Sequence, residues 1–283
     1  MAKAKKKTKI LIIAKQNKLG IKLAKKLEGQ LKAYTDEIYF DRSTALREGK
    51  KGTSVKKFDG DMIITVGGDG TLLWTAQQLE KSVPVLPVKI EGHGFLCTIT
   101  YKELMKNIRR IFKKDYKIAE RIRLKCAKGS LGLIDKIFHK EYPYALNEIV
   151  FARKRPSKIL NIEFRIDGVP MSFIGDGLMF STPSGSTAYN ASAGGPIVDS
   201  DLGVISIIPL YPFYSNIKSF VVPAIKKVEV VVKNGECSLI IDGHGGDFIK
   251  PNTPFIVEKG EPLKIVYFDK ENIYEKVKSE FFS

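Results

Sequence analysis

The stretch from residue 62 to residue 71 decides the fold, and its sequence is Met-Ile-Ile-Thr-Val-Gly-Gly-Asp-Gly-Thr. The first five residues, Met62–Val66, are mostly apolar and predict a short buried strand, which the glycines around Asp69 close. The sequence then predicts a helix over 71–81. A strand, a glycine-rich turn and a helix in this order are typical of an α/β sheet, in which ligands bind beyond the carboxyl ends of the strands.

The residues on both sides of this stretch continue the alternation of strands and helices. The pattern predicts strands over 10–13, 37–40 and 83–88, helices over 18–33 and 101–114, and a polar loop over 41–58. The prolines of 83–88 indicate the ends of that strand or a position at a sheet edge. Residues 1–116 are therefore predicted to form an α/β domain with a parallel, Rossmann-like sheet and helices on both of its sides.

From about residue 117 the pattern changes. Apolar residues alternate with polar ones over 160–166 and 228–233, which indicates half-buried strands. Turn sequences of the Asp-Gly or Asn-Gly type recur in this part of the chain. Residues 117–267 are therefore predicted to form a mostly-β domain, and a short helix is predicted over 271–282.

Composition argues against several classes of protein. The 283-residue chain has no run of about 18 apolar residues, so no membrane partner is expected. No signal-like apolar region follows the basic N-terminus, so a cytoplasmic location is expected. The three cysteines and three histidines are scattered, which argues against a disulfide framework or a zinc site. The net charge of +16 suits a nucleic acid or a polyanionic nucleotide, but no nucleic-acid-binding sequence pattern accompanies it, so no nucleic-acid partner is expected.

The segment Gly67–Thr71 has the features of a phosphate site. Glycines allow the backbone to turn sharply and to approach a phosphate closely. The following helix offers unpaired N–H groups and a partial positive charge to an anion. Asp69 is placed to take a proton from a hydroxyl or to help hold Mg²⁺; the alternative is that it only caps the helix. This is not a Walker sequence, because no Gly-Lys-Ser/Thr follows.

Two further features lie in the predicted β domain. The segment Gly175–Pro196 is rich in small and hydroxyl-bearing residues, which suit a sugar or a nucleobase, and Tyr189 offers a ring for stacking. A plain surface loop is the alternative. The pair Asn147–Glu148 interrupts an apolar stretch over 145–150 and needs polar partners there. Those partners are either turn backbone or a ligand.

Three segments together resemble the NAD kinase family in their order and approximate spacing: Gly-Gly-Asp-Gly-Thr at 67–71, Asn-Glu at 147–148, and the segment 176–196. The resemblance implies transfer of the terminal phosphate of ATP, or of another polyphosphate donor, to the 2′-hydroxyl of the adenosine ribose of NAD, which gives NADP. It also implies Mg²⁺ or another divalent cation with the donor, a homodimer or homotetramer, and a tail of about 268–283 that joins the first domain. No residue is singled out as a metal ligand.

By the same resemblance, Asp69 is the base that activates the hydroxyl, and Gly70 lies beside it at the phosphates. The NAD-binding residues that it implies, besides these two, are Asn147, Glu148, Lys158, Asp176, Thr187, Ala188, Tyr189, Asn190, Ala191 and Ser192. Four residues depart from what is common in the family, namely Trp74, His93, Ser184 and His244.

Two alternatives stand beside this hypothesis. A lipid kinase of the diacylglycerol or sphingosine type would share the 67–71 segment, but it gives no reason for the segment 181–196. A nucleic-acid-binding protein with a degenerate kinase fold would account for the positive charge.

Overall fold

The computed structural model describes residues 8–92, 94–129, 142–269 and 273–282. The chain divides into two compact units, Met1–Glu120 together with Pro262–Ser283, and Arg121–Glu261. The first unit is therefore built from two separate parts of the sequence. Within the described ranges, no helix has the length and apolar character that crossing a membrane requires.

The described strands are β1 (Ile10–Ala14), β2 (Ile38–Phe40), β3 (Met62–Gly67), β4 (Val85–Lys89), β5 (Ile99–Thr100), β6 (Lys117–Arg121), β7 (Leu124–Lys128), β8 (Glu148–Arg153), β9 (Leu160–Ile166), β10 (Val169–Gly175), β11 (Gly177–Ser181), β12 (Val204–Leu210), β13 (Phe220–Pro223), β14 (Val228–Val232), β15 (Cys237–Ile241), β16 (His244–Ile249), β17 (Pro254–Lys259) and β18 (Leu263–Tyr267). The α-helices are α1 (Lys18–Leu31), α2 (Arg42–Arg47), α3 (Asp69–Gln78), α4 (Tyr101–Lys113), α5 (Tyr189–Ser192) and α6 (Ile273–Phe281).

The first unit contains a seven-stranded sheet in the order β2-β1-β3-β4-β18-β6, with β5 also beside β4. The pairs from β2 through β18 are parallel, and so is the pair of β4 with β5. Strands β1 and β3 are buried along their whole length, as expected when helices cover a parallel sheet. The prediction of an α/β domain with a parallel sheet is confirmed.

The predicted loop over 41–58 is wrong, because α2 and a short 3₁₀ turn at Val55–Lys57 lie within it. The Asp41 carboxylate begins α2 by accepting the N–H groups of Ser43 at 2.9 Å and Thr44 at 3.2 Å. Only Thr44 and Ala45 of this helix are buried. The sequence therefore has a capping signal there but no hydrophobic period.

An edge position for the strand over 83–88 is also wrong, because β4 lies between β3 and β18. Pro84 does precede the strand. Pro87 has no N–H. On one side of β4 the neighbouring strand changes at this residue, because Val85 pairs with β18 and Val88 pairs with β5. An interior strand tolerates this proline because its missing donor falls at the change of neighbour.

The second unit contains two sheets whose described pairings are antiparallel. Their strand orders are β10-β9-β14-β17-β7 and β13-β12-β11-β8-β15-β16. Side chains of both sheets form one core, with Phe164 and Phe255 from the first and Phe151 from the second. Ala193, in the segment after β11, packs against a smaller buried cluster that includes Val150 of β8. The predicted mostly-β domain is confirmed.

Candidate active site

The glycine-rich turn joins β3 directly to α3, which begins at Asp69, two residues earlier than predicted. Gly68 is the N-cap residue. A Cβ at Gly67 would collide with the side chain of Thr71, so the close approach of helix and strand requires glycine here. The turn therefore places the Asp69 carboxylate in the first turn of a helix, where the backbone N–H groups have no partner within the helix.

The Asp69 carboxylate is held by the backbone of the loop before β5. Oδ2 accepts the N–H of Phe95 at 2.8 Å, and Oδ1 accepts that of Cys97 at 3.2 Å. The N–H of Leu96 lies 3.2 Å from both oxygens. Gly94 permits this approach, since a Cβ there would lie 2.7–2.8 Å from the carboxylate atoms. These bonds argue against the alternative that Asp69 only caps its own helix.

Helix α6 holds the other side of the same loop. The Lys276 ammonium donates to the carbonyl oxygens of Phe95 at 3.1 Å and Cys97 at 3.2 Å. The rings of Phe95 and Phe281 lie 5.9 Å apart. The loop therefore presents its N–H groups to Asp69 and its carbonyl groups to α6. Burial and the neighbouring Asp69 raise the pKa of the Cys97 thiol to about 12, so this thiol is not poised as a nucleophile.

A pocket of about 380 Å³ lies beside the glycine-rich turn. Its wall is formed by the turn and α3, by the end of β1, and by the start of α2. The lining residues are Ile13, Ala14, Lys15, Gln16, Asp41, Ser43, Gly68, Gly70, Thr71 and Trp74. The Lys15 ammonium pairs with Glu91 at 2.8 Å, and both side chains are about half exposed. The pocket thus has the N-terminus of α3 and a cation on its wall, which suits an anionic group.

In the second unit, Asn147 and Glu148 lie at the start of β8 and are almost completely buried, at 7% and 6% exposure. Asp242 fixes their backbone by accepting the N–H groups of Leu146 at 2.8 Å, Asn147 at 2.7 Å and Glu148 at 3.1 Å. Within the described residues, Asn147 Oδ1 and Glu148 Oε2 have no hydrogen-bond partner. Such buried acceptors are costly, and their presence indicates a ligand or water.

The two buried carboxylates have raised pKa values. Burial, followed by the charge of Asp242, raises the pKa of Glu148 to about 7. Burial raises the pKa of Asp242 to about 6, although its three backbone donors act in the opposite direction. Displaced values of this kind are common at functional sites.

The segment after β11 folds onto the backbone of Asn147. The Thr182 N–H donates to the Asn147 carbonyl at 2.9 Å, and a Cβ at Gly185 would collide with that carbonyl. The Asn190 amide donates to the carbonyl groups of Ser186 at 2.9 Å and Pro196 at 2.8 Å, so its N–H₂ group closes the loop. The segment is thus a packed structure rather than a plain surface loop.

Not all of the predicted NAD-binding residues lie together. Asn190 is buried, whereas Tyr189 is 46% exposed, and Thr187, Ala188, Ala191 and Ser192 are also accessible. Asp176 lies across from Arg153 and forms an ion pair with the Arg153 guanidinium at 2.9 Å. This pair is at the opposite end of β8 from Glu148. Five residues along a strand span about 16 Å. Lys158 is exposed, in the turn between β8 and β9.

Comparison with known proteins identifies the family of the chain. The sequence model of the ATP-NAD kinase N-terminal domain matches residues 7–116, and that of the ATP-NAD kinase C-terminal domain matches residues 146–267. The chain belongs to the NAD kinase family. It is 34% identical over 273 residues to an NAD kinase of Thermococcus sibiricus, covering 94% of this chain and 95% of that protein.

Solved structures of this family have the same fold. An NAD kinase from Archaeoglobus fulgidus in complex with ATP superposes with a TM-score of 0.75 and 26% identity, covering 96% of this chain and 99% of that one. Yeast NADH kinase complexed with NADH has a TM-score of 0.85 at 20% identity, covering 98% of this chain and 88% of that one, and this likeness concerns the fold alone.

Membership of the NAD kinase family confirms the predicted enzyme class: the chain is an NAD-phosphorylating kinase. The lipid-kinase alternative falls away, because the matched C-terminal domain includes both the pair at 147–148 and the segment 176–196.

Sequence reasoning missed three groups that hold predicted site residues in place, each within its own unit. Asp242 belongs to one of the Asp-Gly turns, and its left-handed backbone, with φ of 48°, directs its side chain at the start of β8. Lys276 and the N–H groups of 95–97 were given no role. The Gly94-Phe95-Leu96 sequence was the one available signal, and it did not reveal a partner as distant in sequence as Asp69.

Proposed function

We propose that this NAD kinase uses ATP as its donor, and that Asp69 is the base for the 2′-hydroxyl of the adenosine ribose of NAD. The observation that carries the proposal is the Asp69 carboxylate itself, fixed at the junction of β3 and α3 next to a pocket suited to phosphate. Gly70 and Thr71 contribute the N-terminus of α3 to that pocket, and Lys15 contributes a cation.

In the proposed step, Asp69 takes the proton of the 2′-hydroxyl while the ribose oxygen forms a bond to the terminal phosphorus of ATP. The bond from that phosphorus to the bridging oxygen breaks, and ADP leaves with the electron pair. Three backbone N–H groups reach the Asp69 carboxylate. A carboxylate has about four acceptor sites, so the ribose hydroxyl can bind as a further donor.

NAD recognition rests on the buried acceptors of the second unit. Asn147 Oδ1 and Glu148 Oε2 lack partners among the described residues, and the amino groups and hydroxyls of NAD are donors of the required kind. Lys158, Asp176 and the accessible part of 187–192 are further proposed contacts, with Tyr189 offering a ring to stack on a base. The separation of Asp176 from Glu148 suits a long ligand.

Magnesium fits the site as a companion of the donor. Among the residues that the structure describes, no group of three or more His, Cys, Asp or Glu side chains could hold a metal ion. In phosphoryl-transfer sites Mg²⁺ is commonly bound through substrate phosphates, water and one or two carboxylates. We therefore expect the cation to enter with ATP, to be held chiefly by the donor phosphates and water, and to supply charge neutralisation.

Exposed apolar side chains support the proposal that the chain forms a homodimer or homotetramer. Four such side chains of the second unit are 50–96% exposed, namely Tyr211, Phe213, Tyr214 and Ile225. Burial of these side chains against a second copy would remove them from water. The cysteines at 97, 126 and 237 are free and buried, which fits the reducing conditions of the cytoplasm.

A coupled assay for NADP tests the proposal. The purified chain is given NAD and MgATP, and NADP is measured with an NADP-specific dehydrogenase. We expect Asp69→Asn to lose about 10²–10⁴-fold in kcat while its Kd for NAD stays within about twofold, and Asp59→Asn, an exposed residue of the same unit, to keep full activity. Equal activity of native chain and Asp69→Asn would show that Asp69 is not the base.

A further inference from the structure

The single tryptophan of the chain, Trp74, lies on the wall of the pocket beside the glycine-rich turn. It shares one face of α3 with Gly70 and Thr71, which are four and three residues before it. The opposite face of the helix carries the buried residues, Leu72, Thr75 and Ala76. Trp74 therefore belongs to the pocket rather than to the core.

The indole of Trp74 makes no ring-stacking or cation–π contact with the described residues. Among the residues that the structure describes, no aromatic ring stacks on it and no cation lies over it. It is half-buried, with the pocket beside it. A large aromatic side chain that faces an open pocket and lacks a ring partner is free to stack on a ligand.

The pocket has two chemically different ends. The N-terminus of α3 and Lys15 form an end whose donors suit phosphate, with Glu91 as the acid that faces Lys15. Trp74 lies one helical turn farther on, about 6 Å along the axis from Gly70. A volume of about 380 Å³ is within the range of small-molecule sites. A molecule with phosphates at one end and a flat base at the other matches this order.

We propose that Trp74 stacks on the base of the donor nucleotide and so makes the enzyme select a nucleoside triphosphate over inorganic polyphosphate. This inference rests on the proposed function, because it takes the pocket to be the donor site. Both donors offer phosphates to the N-terminus of α3 and to Lys15, whereas only the nucleotide has a ring for the indole. Trp74 is therefore a specificity-determining residue for the donor and leaves the affinity for NAD unchanged.

Intrinsic fluorescence tests the contact directly, since Trp74 is the only tryptophan in the chain. The native enzyme is titrated with MgATP and, separately, with magnesium tripolyphosphate, each corrected for absorption by the ligand. We expect MgATP to quench the emission with a saturable curve, and tripolyphosphate to compete with MgATP in the kinetic assay while leaving the emission nearly unchanged.

Kinetics test the consequence. Stacking of one base on an aromatic side chain corresponds to on the order of ten- to hundredfold in affinity. We expect Trp74→Ala to raise the KM for MgATP by that factor while the KM for NAD and the inhibition constant of tripolyphosphate stay within about twofold. Trp74→Phe should recover most of the loss, and Gln78→Ala, on the same helix, should match the native enzyme.

The outcomes separate the inference from the function on which it rests. If no donor yields NADP, the proposed function fails, and the inference fails with it. If NADP forms but saturating MgATP leaves the emission unchanged, only the stacking contact is refuted. Equal increases in both KM values for Trp74→Ala would also refute it, by showing a general structural role. If Trp74→Ala does not fold, the fluorescence titration and Trp74→Phe still decide.

Discussion

The Glu148→Gln variant is expected to be more stable than the native chain at pH 8 and to bind NAD more weakly. Burial, with the charge of Asp242, raises the pKa of Glu148 from 4.5 to about 7. A tenfold change in an acid constant corresponds to about 1.4 kcal/mol. The ionised Glu148 side chain therefore lowers the free energy of unfolding by about 3 kcal/mol above pH 7.

Because the pKa of Glu148 is raised in the folded state, the folded chain binds the proton more tightly than the unfolded chain does. Well below pH 4.5 the group is protonated in both states and costs nothing. Stability then falls as the pH rises from 4.5 to about 7. Glutamine does not ionise, so Glu148→Gln removes this loss of stability. It leaves a buried N–H₂ group, which lowers the free energy of unfolding by about 1–2 kcal/mol when the group has no hydrogen-bond partner. The net gain at pH 8 is therefore about 1–2 kcal/mol.

Urea unfolding followed by circular dichroism at pH 5 and pH 8 measures the effect. The free energy of unfolding of Glu148→Gln, minus that of the native chain, should rise by roughly 2–3 kcal/mol between the two pH values. Glu229→Gln on β14, whose side chain lies on the outer face of its sheet, is the matched control and should show no such rise. Calorimetric titration at pH 8 should give a Kd for NAD about ten- to hundredfold higher in Glu148→Gln, the usual cost of losing a charged acceptor.

Two results would refute the reasoning. A stability difference between Glu148→Gln and the native chain that is the same at pH 5 and pH 8 would show that the pKa of Glu148 is not raised. An unchanged Kd for NAD would show that Oε2 does not meet the ligand, and the buried acceptor would then need a water as its partner.

Three further predictions concern the loop that holds Asp69. Asp69→Asn should lower the free energy of unfolding, measured in urea, by about 2–3 kcal/mol as well as reducing kcat. The reason is that an N–H₂ group cannot accept the backbone N–H groups that now reach Oδ1 or Oδ2. An unchanged urea midpoint would contradict the observed hydrogen bonds. Gly94→Ala should reduce kcat at least about tenfold with the KM for NAD nearly unchanged, because its Cβ would displace the carboxylate; full activity would mean that the loop yields freely. Lys276→Met should reduce kcat more than it changes either KM, and Lys276→Arg should restore part of the loss. Lys278→Met, at an exposed position on the same helix, is the control and should have no effect. Equal losses at both lysines would rule out a specific role of Lys276.

The parts of the fold that were predicted correctly depend on local signals. The strand Met62–Gly67 is apolar except for Thr65, and the glycines at its end indicate the turn. The start of α3 was placed two residues late, because Gly68 acts as its N-cap without a side-chain oxygen and so leaves no capping signature in the sequence. Helix α2 was missed since it buries only Thr44 and Ala45 and has no apolar stripe.

The parts of the site that were not predicted depend on distant contacts. Asp242 reaches the backbone of Asn147 across 95 residues of sequence, and Lys276 reaches Phe95 across 181. No periodicity or spacing relates such positions, because the sheet pairing brings them together only after folding. An Asp-Gly turn and a lysine on a helix are common in any sequence, so neither residue carried a signal of its own.

The position of β18 has a consequence for how the chain folds as it is made. This strand lies inside the sheet of the first unit, between β4 and β6, and α6 follows it to hold the loop around Asp69. When the ribosome has completed residues 1–120, the sheet of the first unit therefore still lacks β18 between β4 and β6. The whole second unit must be synthesised before β18 can take this position. Since domains generally fold as units during synthesis, the second unit is expected to acquire its structure first. The Asp69 site would then be completed late, so a partly synthesised chain should have no kinase activity.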